Sequence, residues 1–249
     1  MSGIESTILV ILFTKYCLLD LNFVSIWWYN GFHIITYNFL ELFFLIGFYN
    51  YTVWLTYLGM LSSAVGIGFA IDGRIIAAVI CLMFSGLCDM FDGIVARTKK
   101  DRTEEEKRYG IQLDSLSDVI CFGILPMVIG ICLGANAWWQ LAIGAMFALF
   151  GLIRLAYYNV TEETRQQQTT EKRNSYVGVP ITSSALTVPL LFCFKSLIGE
   201  AAFPFAYTAL LFVNGLCFVV PIKVRKPHGK DLLYILAAGI VLCILMLIF

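Results

Sequence analysis

Four aspartates in a mostly apolar chain are the residues best placed to do chemistry. Asp89 and Asp92, then Asp114 and Asp118, close the stretch Cys88–Asp118 at offsets of three and four residues. Those offsets put both members of each pair on one face of a helix. Long apolar sequence flanks each pair, and an unpaired carboxylate there is costly. Two helices that carry such pairs can face one another and hold divalent cations. Without cations, four neighbouring carboxylates repel and favour protonation. Mg2+ and Mn2+ are hard ions suited to carboxylate oxygens. Asp114 alone could be a first-turn acid that favours a helix N-terminus. Asp89 and Asp92 cannot be explained that way, because they sit near a helix C-terminus. Gly93 and Ala96 share their face and leave room for a ligand against the backbone, and Gly110 precedes Asp114 by one turn. Metals that bridge phosphate oxygens at a membrane site imply phosphoryl-group chemistry on a lipid.

The elements that must position these acids are membrane helices. The 249 residues are 59% hydrophobic and 14% charged, with mean hydropathy +0.82; soluble chains average roughly a quarter charged. Apolar runs are continuous rather than alternating, which argues for an all-α polytopic bundle and against a β-barrel. Spans are predicted near 52–71, 75–96, 111–133, 137–159, 178–198, 203–221 and 231–249, with turns at Asp72-Gly73 and Gly134-Ala135-Asn136. Residues 1–46 read as a hydrophobic extension, and 47–249 as the membrane domain. The extension holds an extra span near 4–24 or helices in the interface, with Trp27, Trp28 and Tyr29 as an aromatic cluster. It lacks the pattern of a cleaved signal peptide. The eight cysteines are scattered singly, without metal-binding or disulfide spacing. Net charge is zero, so nothing points to a nucleic acid.

Basic residues orient the bundle. Loop 97–109 carries Arg97, Lys99, Lys100, Arg102, Lys107 and Arg108. Loop 160–177 carries Arg165, Lys172 and Arg173, and loop 222–230 carries Lys223, Arg225, Lys226 and Lys230. Arg74 and Lys195 fall on or near the other side. Seven spans put the three basic loops on one side, which the positive-inside rule makes cytoplasmic. The four acids then lie just inside the cytoplasmic leaflet, open to soluble substrates from one direction and to lipid from another.

Asp89-x-x-Asp92-Gly93-x-x-Ala96-Arg97 followed by Gly110-x-x-x-Asp114-x-x-x-Asp118 closely resembles the motif of the CDP-alcohol phosphotransferases. Twelve residues separate Arg97 from Gly110, where the common pattern has seven or eight. The flanks, Tyr109 to Leu116 with Phe122-Gly123 and Pro126, Arg154 to Asn159, and Tyr176 to Pro180, resemble the bacterial-type phosphatidylserine synthase branch. The resemblance covers roughly 47–230 and implies a six-helix core with extra membrane helices at the C-terminus and possible ones at the N-terminus. It implies transfer of phosphatidyl from CDP-diacylglycerol to L-serine, with release of CMP, in a prokaryotic cell membrane. It further implies two Mg2+ or Mn2+ ions on Asp89, Asp92, Asp114 and Asp118, with Asp118 as a ligand or the general base. Asp89, Gly93, Ala96, Arg97 and Gly110 would border the CDP moiety.

Serine recognition needs a cation for the acceptor carboxylate. Arg154 is the basic residue well inside a span outside the motif, with Gln112, Ser115, Ser117, Asn159, Thr182 and Ser183 as polar companions. Arg154 could instead snorkel to the surface, and the others could be interhelical hydrogen bonds. Gly130-x-x-x-Gly134 and Gly144-x-x-x-Ala148 permit close helix approach, and the resemblance implies a homodimer. Rival readings are a relative with glycerol phosphate, inositol phosphate or another alcohol as acceptor, and, more remotely, an ion-coupled transporter. Against transport, the acids cluster at one leaflet and no inverted repeat is visible.

Overall fold

The structure is a computed structural model that describes residues 47–168, 175–225 and 230–248. The segments expected within 1–46 lie outside the described residues, as do Lys172, Arg173 and Lys226. The chain divides into two units, Met1–Gly47 and Phe48–Phe249, and the second holds every element described below.

After a 3-10 turn at Tyr51–Val53, helix α1 runs Trp54–Ile71 and α2 runs Ile75–Ala96. Their contact is a stripe of small residues. Gly59, Ser63, Gly66 and Ala70 are all buried on α1. A Cβ on Gly66 would lie 2.8 Å from Cys81 Cβ, and one on Gly59 would lie 3.3 Å from Cys88 Cβ. Such spacing lets two apolar helices approach until backbone groups become reachable. Ser85 uses that proximity, with its hydroxyl 2.8 Å from the Gly59 carbonyl and 2.8 Å from Ser63 Oγ.

Helix α3 spans Glu104–Asp118, a π-helical turn follows at Val119–Ile124, and α4 continues over Leu125–Cys132. The expected span near 111–133 therefore starts seven residues early, at Glu104. Thr103 caps the Glu106 amide and Glu106 returns the bond to the Thr103 amide. Three acids in that first turn suit the positive end of the helix dipole. Asp114 consequently lies ten residues in from the helix start, which removes capping as its explanation.

The π turn begins directly after Asp118. Pro126 has no N–H to return to the Phe122 carbonyl, so an α-helical ladder cannot close there. Ser184 Oγ lies 3.3 Å from that carbonyl, and the Tyr207 hydroxyl donates to the Pro126 carbonyl at 2.9 Å.

Helix α5 runs Trp138–Gln168, nine residues beyond the predicted end at 159. Its extra turns carry the Glu162–Arg165 ion pair, one turn apart. The continuous Glu104–Cys132 rod has 29 residues. At 1.5 Å per residue it reaches about 43 Å, against an apolar bilayer core of roughly 30 Å. The charged first turns of α3 and last turns of α5 therefore extend beyond the apolar layer. Arg108 and Glu163 approach to 4.0 Å there.

The predicted span 178–198 is interrupted. It consists of a 3-10 turn at Ile181–Ser183, helix α6 at Ser184–Phe192 and helix α7 at Lys195–Ile198. Helices α8 (Phe203–Val219) and α9 (Lys230–Ile248) follow. Strand β1 (Ser175–Val177) pairs antiparallel with β2 (Lys223–Arg225), a contact the all-α expectation did not include. Gly178 ends β1 at φ +80°, and a Cβ there would sit 2.5 Å from the Phe218 carbonyl oxygen. Only glycine fits that turn.

The described residues form a helical bundle with one short strand pair. Among the described residues, four helices are long and apolar enough to cross a membrane: Tyr51–Ile71, Ile75–Ala96, Glu104–Cys132 and Trp138–Arg165. Three shorter apolar helices cover Ile181–Phe192, Phe203–Val219 and Asp231–Met246. The core is built from Leu82, Phe122, Leu125, Ile129, Phe147, Tyr207 and Phe218. Both small-residue spacings named above serve contacts inside the protomer. A Cβ on Gly130 would meet the Tyr207 ring at 3.0 Å, one on Gly144 would meet Met127 Cγ at 2.9 Å, and Ala148 packs on Gly123.

Candidate active site

Helices α2 and α3 bring the four aspartates together. One carboxylate oxygen from each of Asp89, Asp114 and Asp118 lies within 4.8 Å of the other two. Across the helix pair, Asp89 is within hydrogen-bonding reach of Asp118, and Asp92 of Asp114. Carboxyl groups at that distance need a shared proton or a bridging cation. The ion pairs between described residues, Lys99–Glu106, Lys107–Glu104, Arg108–Glu163 and Arg165–Glu162, include none of the four. The donor set is oxygen only, anionic and held on rigid helices, which suits a hard divalent ion.

Thr56 on α1 adds a support the sequence did not reveal. Its hydroxyl donates to Asp92 Oδ2 at 3.1 Å, a bond that fixes the carboxylate's orientation. The signal for Thr56 was weak. It is one of several hydroxyls on α1, and only the close α1–α2 contact singles it out.

The remaining motif residues separate into two groups. Gly93 is exposed, with nothing within 4 Å of an added Cβ, and Arg97 stands exposed at the α2 C-terminus. Ala96 and Gly110 are instead covered by Arg102. Its Nη1 lies 3.4 Å from the Ala96 carbonyl, and its Nη2 donates to the Glu106 carbonyl at 3.2 Å. Arg102 belongs to the long segment between Arg97 and Gly110, where sequence reading had marked only charge. Two neighbours hold this segment in place. Lys99 Nζ and Asn50 Nδ2 both donate to Glu106 Oε1, at 2.8 and 3.1 Å.

A groove of about 2290 Å³ opens beside the carboxylates, between α2, α3, α5, α6 and α9. Asp89, Asp92, Asp114 and Asp118 line one end with Arg97, Gln112, Ser115 and Arg154. Arg154 is 8% exposed, and its Nη2 donates to the Gly178 carbonyl at 3.3 Å. It is therefore buried rather than extended to the surface. Asn159 Nδ2 donates to Ser115 Oγ at 2.8 Å, joining α5 to α3 at the groove wall. Thr182 and Ser183 also line it. Ser117 does not line the groove: it is buried, with its hydroxyl 3.7 Å from Cys121 Sγ, and borders a small cavity shared with Thr56 and the four aspartates. Charged residues of α3 and α5, from Glu104 to Arg108 and from Glu162 to Arg165, line the groove's mouth, and α2, α6 and α9 give it a long apolar stretch from Ile80 to Leu87 and from Leu232 to Cys243.

The arrangement joins a largely buried acidic cluster able to hold divalent cations, a rim of mixed charge and a long apolar trough. That combination suits a substrate with a polyanionic head and a hydrocarbon tail. Residues 49–220 match the model of the CDP-alcohol phosphatidyltransferase family. The chain is 35% identical over 136 residues to CDP-diacylglycerol–serine O-phosphatidyltransferase of Helicobacter pylori, covering 54% of this chain and 52% of that protein. It is 34% identical over 113 residues to the Saccharomyces cerevisiae protein of the same name, at 44% and 40% coverage. Archaetidylserine synthase of Methanothermobacter thermautotrophicus is 32% identical over 135 residues, at 53% and 54%. The matched stretch thus spans about half the length of these curated relatives. Carboxylate cluster, motif order and family match coincide on the same residues, and the chain belongs to the CDP-alcohol phosphatidyltransferase family.

Proposed function

We propose that the protein transfers the phosphatidyl group of CDP-diacylglycerol to L-serine, forming phosphatidylserine and releasing CMP. The observation that carries this reading is the cluster of Asp89, Asp114 and Asp118 at the polar end of an apolar groove. The names of the relatives described above support serine as the acceptor. Asp89, Asp92, Asp114 and Asp118 would hold two Mg2+ or Mn2+ ions. When bound, the ions neutralise the diphosphate and stabilise charge on the departing CMP phosphate.

The chain's own groups carry the remaining work. Gly93 and Arg97, which line the groove, border the CDP moiety, while Arg102 stands between the groove and both Ala96 and Gly110. Asp118 takes the proton of the serine hydroxyl as its oxygen attacks the phosphatidyl phosphorus. The bond from that phosphorus to the CMP oxygen breaks, and the electron pair leaves with CMP. Arg154 pairs with the serine carboxylate, while Gln112 and Ser115 complete the acceptor side. Burial of Arg154 beside the carboxylates supports this assignment, because a charged group inside a bundle is retained for a partner.

The active site faces the cytoplasmic leaflet of a prokaryotic membrane, and the protein acts as a homodimer. Residues 1–46 lie outside the family match, and a chain lacking them should keep its transfer activity.

The test uses purified protein in detergent with CDP-diacylglycerol, Mn2+ or Mg2+ and a panel of acceptors: serine, glycerol phosphate and inositol phosphate. Serine-dependent CMP release with a matching amount of phosphatidylserine is expected. Asp118→Asn should lower turnover by about 10²-fold or more. CMP release driven by another acceptor alone would replace serine. No CMP release from any acceptor, with Asp118→Asn equal to wild type, would overturn the transferase reading.

A further inference from the structure

Helix α9 lies beyond the stretch that matches the family, yet it forms one wall of the groove. Leu232, Leu236, Gly239 and Cys243 of α9 face the same space as Asp92 and Ile80 of α2. The trough follows α2 from Asp92 back to Ile80, which is twelve residues, or about 18 Å at helical rise. One leaflet of the apolar bilayer core is roughly 15 Å thick. The groove is therefore as long as one acyl chain lying in one leaflet.

Gly239 sits at a defined depth in this trough. A Cβ there would meet Leu186 Cδ2 at 3.9 Å, and no other atom within 4 Å. Leu186 neighbours Ala185, whose Cβ lies 2.7 Å from the position a Cβ on Gly86 would take. Gly239 is thus level with Gly86, six residues or about 9 Å along α2 from Asp92. That is halfway down the groove.

We propose that α9 is the acyl-chain wall of the donor site, and that the missing side chain at Gly239 keeps the lower half of the groove open to long chains. The occupant is an acyl chain of the lipid donor. The groove is continuous with the acidic cluster that takes the diphosphate, and its lining turns from charged to apolar with distance from that cluster. The inference rests on the donor assignment under Proposed function. A side chain added at Gly239 meets no backbone, so it projects into the trough without displacing a helix.

The experiment compares CMP release from dioleoyl and dihexanoyl CDP-diacylglycerol with serine, for wild type, Gly239→Leu, Gly239→Phe and Val241→Phe. Val241 is exposed on α9 and does not line the groove. Gly239→Phe should raise the ratio of short-chain to long-chain kcat/KM by about tenfold or more, since a few methylenes excluded from an apolar pocket cost that much. Gly239→Leu should shift it less, and Val241→Phe should leave it unchanged. An unchanged ratio in both Gly239 variants, with wild type active, overturns the wall assignment alone. An equal shift from Val241→Phe overturns it too, by showing a general effect of bulk on α9. A wild-type protein that turns over neither donor overturns the donor assignment and this inference with it.

Discussion

The guanidinium of Arg102 lies directly on Gly110, with its Nη2 2.7 Å from where a Cβ would stand. Arg102 arrives from the long segment between the two motif helices and reaches the Ala96 carbonyl on one and the Glu106 carbonyl on the other. The absence of a side chain at Gly110 thus has an occupant inside the chain. Arg102 ties the ends of α2 and α3 together just outside the carboxylates.

This contact predicts a coupled pair. Gly110→Ala pushes the guanidinium off its two carbonyls, and the lost hydrogen bonds, about 1 kcal/mol each, should outweigh the gain alanine brings inside a helix. In an Arg102→Ala background the same substitution meets open space and should stabilise by about 0.5–1 kcal/mol, the gain alanine brings over glycine inside a helix. A double-mutant cycle read by thermal unfolding in detergent measures the difference. Equal effects in the two backgrounds would show that Arg102 does not occupy the site.

Removal of a carboxylate should separate activity from stability. Asp89→Asn and Asp114→Asn relieve repulsion in the cluster, so the metal-free variants should unfold no earlier than the metal-free wild type. Both should lose turnover. Mn2+ should stabilise wild type by ~2.7 kcal/mol at a free concentration about a hundredfold above Kd, and the variants far less. The same Mn2+ stabilisation in Asp89→Asn and wild type would remove Asp89 from the ligand set.

The sequence carried the chemistry further than the architecture. Asp89, Asp92, Asp114 and Asp118 were readable because helical spacing converts directly into a shared face. The start of α3 was missed although its capping pair, Thr103 and Glu106, stands in plain view. The charged run 97–109 resembled a loop because the turns that project beyond the apolar layer have no hydrophobic periodicity. The span expected near 111–133 ran through Pro126 without a break, and the π turn beside Asp118 was not anticipated. Thr56, Arg102 and the strand pair have no local signature, since each depends on which helices become neighbours. Ser117 and Ser115 differ by two positions, and only the rotation of α3 decides which faces the groove.

Thr56 should act through Asp92. Thr56→Val keeps the volume and deletes the 3.1 Å hydrogen bond, so it should weaken metal affinity by roughly 10- to 100-fold, as loss of a ligand's orienting partner does. Turnover at saturating metal should largely recover, and Thr56→Ser should restore the metal dependence. A metal titration of CMP release distinguishes this from a packing defect. Reduced turnover at every metal concentration, with an unshifted midpoint, would make Thr56 a packing residue only.

Arg154 poses the sharpest question about the acceptor. It is buried, it bonds the Gly178 carbonyl at 3.3 Å, and it lines the groove beside Ser115 and Gln112. Two roles are compatible with that geometry, and they predict different measurements. If its guanidinium takes the serine carboxylate, Arg154→Ala should raise the serine KM by about tenfold or more, the worth of a charge-assisted hydrogen bond. The KM for CDP-diacylglycerol should hardly move. Arg154→Lys should recover little, because an ammonium cannot grip a carboxylate with two parallel N–H groups. If Arg154 only braces the turn at Gly178, both substitutions should lower thermal stability and leave the serine KM where it was. Kinetics in both substrates, with unfolding measured on the same preparations, decides between the two roles.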